Sequence, residues 1–481
     1  MGAAVTTSSE IVSKLWRLCT LLRKDGITYP QYVTELTYLM FLKIASGREK
    51  GRSASPLTEA WARILKADDA AVLRTYRSIL ATLGSTGDDR LVHAIFDRAE
   101  TVVRDPATLR RLVSAIDETD WSGNDRDLFG DAYEGLLQKN AEETKRGAGQ
   151  YFTPRALVDT MVSLTNPQPG EVVQDPAAGT GGFFIAVKNW IDRSSHSTGW
   201  ADFRGVENVI DTYRLLCMNL YLHGIRASGM FMGDTLSELG CREELSSADL
   251  ILSNPPFGAS GGTPARDDLM ITARSTGFQL PFVEHCMRAL APNGRAAVIV
   301  PDSVLFDGGR GRALRQELMR TCDLHTILRL PPGIFYAHGV RTNVLFFSRP
   351  AVAPDGDVTA DVWLYDMRAN MAMGSKGSAA FAGALAEFAA AFGEDPLGRG
   401  KRVDTGPEGR FRCFSREDIR ARDDDLYVTW LRESEDIDGS LEAAAPEDVA
   451  SVVEQHLTLA LDEIKALMAD LLENAQEAEN A

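Results

Sequence analysis

The residues best placed to do chemistry are Asn254-Pro255-Pro256-Phe257-Gly258. They follow Ala248-Asp249-Leu250-Ile251-Leu252-Ser253, an apolar run that predicts a short buried strand. Two consecutive prolines can neither extend a ladder nor enter a helix interior, so the strand ends there. What remains is a stiff loop at a strand's carboxyl end, carrying one amide and one aromatic ring. In an open α/β sheet, ligands sit at that edge. The Asn254 amide can both donate and accept, and the Phe257 ring can stack on a flat heterocycle. The prolines hold the carbonyls of Ser253 and Pro255 at a fixed angle. Together these groups suit an exocyclic amine on a planar ring. The plainer alternative is a surface turn whose phenyl ring packs into the core, so the upstream residues must decide.

Upstream, Glu171-Val172-Val173-Gln174-Asp175 reads as a strand running into Pro176-Ala177-Ala178-Gly179-Thr180-Gly181-Gly182 and then an apolar helix from Phe183. Strand, small-residue turn and helix form a nucleotide cradle, because glycines admit a ligand to the backbone and the helix N-terminus faces it. No Gly-Lys-Ser/Thr follows, which excludes a phosphate-transferring P-loop. A second strand, Asp202 to Glu207, ends in a carboxylate of the kind that accepts from ribose hydroxyls. A third, Ser228 to Met232, leads to Gly233-Asp234. Glu207, Asp234 and Asn254 thus fall on the carboxyl rim of one expected sheet.

The elements that must position these groups are α/β in pattern. Helices are expected at 282–290 and 310–321, and strands at 294–301, 325–330, 342–347 and 362–365. The loop 259–279 is rich in Gly, Ser and Thr and reads as mobile; its Arg266 and Arg274 read as solvated side chains within reach of a nucleic-acid backbone. Before the sheet, residues 9–138 read as helices, with apolar positions such as Ile11, Leu15, Leu18 and Leu22 at helical spacing. A polar linker follows at 139–149, then Gln150-Tyr151-Phe152-Thr153-Pro154-Arg155, where Thr153 is expected to cap a helix beginning at Pro154 and the two aromatics to form a hydrophobic staple. Near the end, Pro446 to Leu472 reads as one long helix with an apolar seam, for docking a partner or for folding back on the N-terminal helices. These divisions give domains at 1–138, 139–432 and 433–481.

Composition sets the outer bounds. The chain has 481 residues, enough for two or three domains. Its apolar runs are too short to cross a membrane, and no secretory leader is expected. Met1-Gly2-Ala3-Ala4-Val5-Thr6 fits a loose acylation pattern, read as coincidence. The six scattered cysteines and seven histidines show no ligand or disulfide spacing, so no metal is expected and the cytoplasm is the expected compartment. The net charge of −17 is unlike that of a stand-alone DNA binder, so either a local basic face is hidden in an acidic average or a partner supplies the grip on any nucleic acid.

With the glycine turn before the Asn-Pro-Pro-Phe loop, the chain resembles γ-ordered amino-methyltransferases. More narrowly, it resembles the modification (M) subunits of type I restriction-modification systems. The resemblance spans nearly the whole chain. It includes Tyr32-Val33-Thr34-Glu35-Leu36, the segment 150–155, the turn 175–183, Gly205-Val206-Glu207, the loop 254–258 and Leu330-Pro331-Pro332-Gly333-Ile334-Phe335. It implies an α/β, Rossmann-like methyltransferase domain between an N-terminal helical domain and a C-terminal helical arm. It also implies S-adenosyl-L-methionine as cofactor, adenine N6 in double-stranded DNA as acceptor, and a complex with a specificity (S) subunit and a second M subunit, with an optional restriction (R) subunit. By the same resemblance Asn254, Pro255, Pro256 and Phe257 grip the base. Gln150, Tyr151, Phe152, Thr153, Pro154, Arg155, Asp175, Gly179, Thr180, Gly181, Gly182, Glu207 and Asp234 hold the cofactor. Ala177 stands where the broader family often has an aromatic. The alternatives are a solitary enzyme acting on adenine N6, cytosine N4 or a glutamine amide, and a non-catalytic DNA-binding scaffold.

Overall fold

The computed structural model describes residues 8–24, 28–48, 56–85, 90–119, 121, 153–194, 199–226, 228–335, 340–352, 354–368 and 379–431. The expected helix at 127–137, the linker, Gln150, Tyr151, Phe152 and the C-terminal arm lie outside these residues. Two compact units emerge: 1–148 with 179–181 and 208–228, and the remainder.

The first unit is helical. Ser8–Lys24, Tyr29–Arg48, Pro56–Lys66, Val72–Ser85, Arg90–Phe96 and Pro106–Asp117 are joined by Ile210–Leu222. Asp105 caps Pro106–Asp117 by accepting from the amides of Ala107 and Thr108, with proline in the first turn. Asp117 in turn accepts from Lys43 at 2.6 Å and from the Trp61 indole at 2.8 Å. Glu35 is fully buried and accepts from the Thr101 hydroxyl and the Val102 amide; desolvation raises its pKa. The rings of Phe41 and Tyr221 meet edge-on at 5.6 Å, and Arg214 donates to the Asp97 carbonyl at 2.7 Å. These contacts explain why Ile210–Leu222 packs with the N-terminal helices although it lies between two strands of the sheet.

The second unit is built on a nine-stranded sheet: β1 Val172–Asp175, β2 Asp202–Glu207, β3 Gly229–Met232, β4 Ala248–Ser253, β5 Leu290–Pro301, β6 Asp323–Arg329, β7 Thr342–Ser348, β8 Asp361–Asp366 and β9 Phe411–Ser415. Their spatial order is β3-β2-β1-β4-β5-β7-β6-β8-β9. The β1–β2, β2–β3, β1–β4 and β4–β5 pairs are parallel, whereas β7 runs antiparallel between β5 and β6. The chain therefore winds outward from β1 to β3, then returns across to β4. That reversal makes the β1/β4 crevice the switch point, where ligands of open α/β sheets bind.

Helices cover both faces, so central strands are apolar throughout rather than alternating. In β7, Phe346 packs against Phe388 and Phe392 of helix Ala379–Phe392 at 6.0 and 5.2 Å. Its neighbours Leu345 and Phe347 enter a cluster with Val283, Cys286, Leu314 and Leu318 from helices Gln279–Ala289 and Arg310–Thr321. Glycine at 205 permits close approach of the first crossover helix, because a Cβ there would come within 2.9 Å of the Phe184 ring. None of the six cysteines forms a disulfide. Among the described residues no helix is long and apolar enough to cross a membrane.

Candidate active site

β1 and β4 end side by side. Their backbone ladder pairs only Val173 with Leu250 and Gln174 with Ile251, so Asp175 and Ser253 lie just past its end. There a side-chain bond takes over: the Ser253 hydroxyl donates to Asp175 Oδ1 at 2.7 Å, and the Ala177 amide donates to the same oxygen at 3.0 Å. Asp175 is 2% exposed, and desolvation raises its pKa to about 7. The two hydrogen bonds oppose that rise, and the negative charge of Glu207 adds to it.

The turn after Asp175 is pinned at two more points. The Thr235 hydroxyl donates to the Pro176 carbonyl at 2.5 Å, and the Ala178 amide donates to the Val206 carbonyl at 2.9 Å. Each of the three rim residues expected from sequence thus has its immediate chain neighbour bonded to this turn: Val206 for Glu207, Thr235 for Asp234, and Ser253 for Asn254. Leu236, Leu269 and Phe282 form an apolar cushion on which Ala177 rests. Farther along, Gly179 and Gly181 adopt φ values of 55° and 85°, a backbone region that strains any residue with a Cβ. Helix Gly182–Ser194 starts next, and a Cβ on Gly182 would meet nothing within 4 Å. In the first unit, the Asn219 amide donates to the Thr180 carbonyl at 2.8 Å.

Asn254 leaves β4 partly buried, and its amide nitrogen donates to the Thr153 hydroxyl oxygen at 3.1 Å. This corrects the expected role of Thr153. Helix Arg155–Thr165 has Pro154 at its N-cap with no side-chain cap bond, and Thr153 instead orients the Asn254 amide. Pro255 is buried, while Pro256 and Phe257 are half-buried. Glu207 is half-buried at the end of β2; Asp234 is exposed and accepts from the Leu236 amide at 2.8 Å.

The loop after Phe257 departs from its expected mobility. It is tied across its base by Phe278 N–H to the Gly258 carbonyl and by a bridge between Ala259 and Gly277. Its middle is held by the fully buried Glu284, which accepts from the amides of Ile271 and Thr272 and from the Thr272 hydroxyl. Arg266 does not lie in solvent beside a nucleic-acid backbone. It is 6% exposed, pairs with Asp268 at 2.6 Å, and donates to the Thr235 carbonyl and to His285 Nδ1. Burial, reinforced by the Arg266 charge, lowers the His285 pKa to about 3, so its imidazole is neutral. Replacing Arg266 by alanine strands those acceptors and is expected to cost about 2–3 kcal/mol in urea unfolding. Replacing exposed Arg274 should cost under about 0.5 kcal/mol. Equal effects would contradict this assignment.

Sequence reasoning did not single out Ser253 or Thr235 for the hydroxyl contacts they make, nor Arg368 and Asp302. Buried Arg368 donates twice to Asp302, at 2.6 and 2.9 Å, and also to the Leu330 and Thr342 carbonyls. It thereby fixes the start of the Leu330–Phe335 loop. A guanidinium needs five acceptors when buried, which no local pattern announces.

Known proteins resemble the chain along nearly its full length. The family model for N-6 DNA methylase matches residues 124–438. The type I restriction enzyme StySPI methylase subunit of Salmonella potsdam is 40% identical over 513 residues, covering 96% of each chain. The crystal structure of the EcoKI M protein superposes with a TM-score of 0.53 at 35% identity, again over 96% of both chains. A chain from a structure of type I R-M system assembly gives a TM-score of 0.68 at 25% identity, over 98% of this chain and 99% of that one. The protein belongs to the N-6 DNA methylase family, among the methylase subunits of type I restriction enzymes.

Proposed function

We propose that this subunit methylates N6 of an adenine swung out of double-stranded DNA, with Asn254, Pro255, Pro256 and Phe257 gripping the base. The observation that carries the reading is the junction of β1 and β4, where the residue before Asn254 is bonded to the carboxylate that opens the glycine turn. The residues present fit S-adenosylmethionine: a buried acid, open space above Gly182 at a helix N-terminus, and carboxylates ending β2 and following β3. Asp175 would hold its ammonium group, the backbone of Gly179, Thr180, Gly181 and Gly182 its methionyl end, Glu207 its ribose and Asp234 its adenine. Gln150, Tyr151, Phe152, Thr153, Pro154 and Arg155 would close over it.

When bound, that cofactor supplies a methyl group already activated by its sulfonium, so no covalent enzyme intermediate is needed. The protein's task is alignment. Phe257 stacks on the base after it leaves the duplex. The Asn254 carbonyl oxygen accepts one amine hydrogen and a backbone carbonyl of the proline pair accepts the other. Drawing on both hydrogens keeps the N6 lone pair out of the ring and directed at the methyl carbon. The same two acceptors would hold the amine in place while its surplus proton leaves for solvent.

The charge of −17 supports an assembly in which a specificity subunit carries most of the DNA grip. From the likeness to type I methylase subunits we infer two copies of this chain to one of that subunit, acting in the cytoplasm. Residues 1–138 and 433–481 would serve as partner contacts around the catalytic domain at 139–432. Sequencing of modified bases in host DNA tests the activity. N6-methyladenine at one recurring site should vanish when the gene is deleted and return only with an intact Asn254. Cytosine N4 marks in its place, or no change, would overturn the reading.

A further inference from the structure

We propose that Ser253 is a positioning residue for methyl transfer, its buried hydroxyl locking the base-gripping loop that starts at Asn254 to the cofactor turn that starts at Pro176. This rests on the function proposed above. Ser253 is fully buried, and its hydroxyl reaches Asp175 Oδ1 at 2.7 Å where the β1–β4 ladder has already ended. The side-chain bond therefore continues the strand pairing into the two loops that meet the reactants. No other side chain bonds Asp175 among the described residues. The remaining donor is the Ala177 amide of the same turn.

The hydroxyl also acts on charge. Asp175 is faced by Glu207 from β2, which disfavours its ionised form, and by Cys286 from helix Gln279–Ala289, a thiol that burial keeps neutral. Against those neighbours and its own burial, the Ser253 hydroxyl and the Ala177 amide favour the carboxylate. Loss of the hydroxyl would loosen the loop and leave less Asp175 ionised at neutral pH. Thr235 offers a contrast. It pins the same turn through the Pro176 carbonyl, a neutral acceptor, so removing its hydroxyl disturbs geometry without changing a titration.

The test compares wild type, Ser253→Ala and Thr235→Val in cofactor calorimetry and, with the specificity subunit assembled on double-stranded DNA, in methyl-transfer kinetics across pH. For Ser253→Ala, cofactor affinity at pH 7 should fall about fivefold, and the acid limb of kcat/KM for the cofactor should move about one pH unit upward. At pH 9 binding should recover to near wild type while kcat remains reduced, since the loop stays unlocked. Thr235→Val should lower kcat with the acid limb unmoved. A merely structural Ser253 would instead lower the melting temperature and scale activity evenly at every pH. Should Ser253→Ala fail to fold, Ser253→Cys keeps the volume with only a weak donor and gives the same comparison. An unchanged acid limb and kcat in a folded Ser253 variant overturns the inference. A wild type that binds no cofactor and methylates no DNA overturns the underlying function instead.

Discussion

Asn254→Ala is expected to cut methyl transfer by roughly 10³-fold while cofactor affinity stays within about threefold of wild type. The loss corresponds to about 4 kcal/mol of barrier. The asymmetry between the two readouts follows from position. Asn254 stands one residue past β4, on the base side of the Ser253–Asp175 bond, and Thr153 is the residue that orients its amide. In the proposed reaction alanine removes an acceptor that matters most as the N6 lone pair localises, so the effect should fall on kcat rather than on binding. Asn254→Asp restores an acceptor and should recover part of the rate. Calorimetry with the cofactor and initial rates on DNA measure the pair of effects. If Asn254→Ala lost both in equal proportion, the residue would belong to the cofactor site or to the fold.

Asp175→Asn should give the second large effect, and in opposite directions for affinity and stability. The folded-state pKa of about 7 lies above the ordinary value of 3.8, so the folded protein binds the extra proton between those limits. The stability this contributes is complete below pH 3.8 and is lost as pH rises through 7. At pH 8 the buried, ionised carboxylate costs on the order of 4 kcal/mol, at ~1.4 kcal/mol per pH decade. Asparagine keeps an oxygen to accept from Ser253 and Ala177 without that charge. Its melting temperature should exceed wild type at pH 8, and the gain should shrink toward pH 5. Cofactor affinity at pH 8 should meanwhile fall about 100-fold, because in the proposed complex the cofactor's ammonium group would lose its counter-charge. Thermal unfolding at both pH values and calorimetry at pH 8 decide it; a variant less stable than wild type at pH 8 would mean that Asp175 is neutral or paired there.

The site strands were the most legible part of the chain. Asp202–Glu207 and Ala248–Ser253 occupy the limits read from sequence, because each is a short strand run cut by turn residues at its carboxyl end. The rim residues followed from those strand ends. Arg266 was not legible: a charge among glycines and serines reads as solvated, and only Thr235, Asp268 and His285, brought in by tertiary folding, make its burial tolerable. Thr153 is a similar case, since its partner lies 101 residues away. Helix Ala379–Phe392 did carry a signal, with Phe381, Leu385, Phe388 and Phe392 spaced at steps of four, three and four. The antiparallel direction of β7 had none, because an apolar run looks the same read either way along a sheet. The allegiance of Ile210–Leu222 to the N-terminal helices likewise depended on remote contacts such as Arg214 with Asp97.

The three attachments of the turn after Asp175 bear on the thermodynamics of ligand capture. A flexible glycine-rich segment would have to be frozen on each encounter, and that ordering would subtract from affinity. Here Val206, Thr235 and Ser253 impose the order during folding, while the left-handed torsions of Gly179 and Gly181 are already set. Association can then draw on rigid, oriented dipoles, and its entropy change should be dominated by released water rather than by immobilised chain.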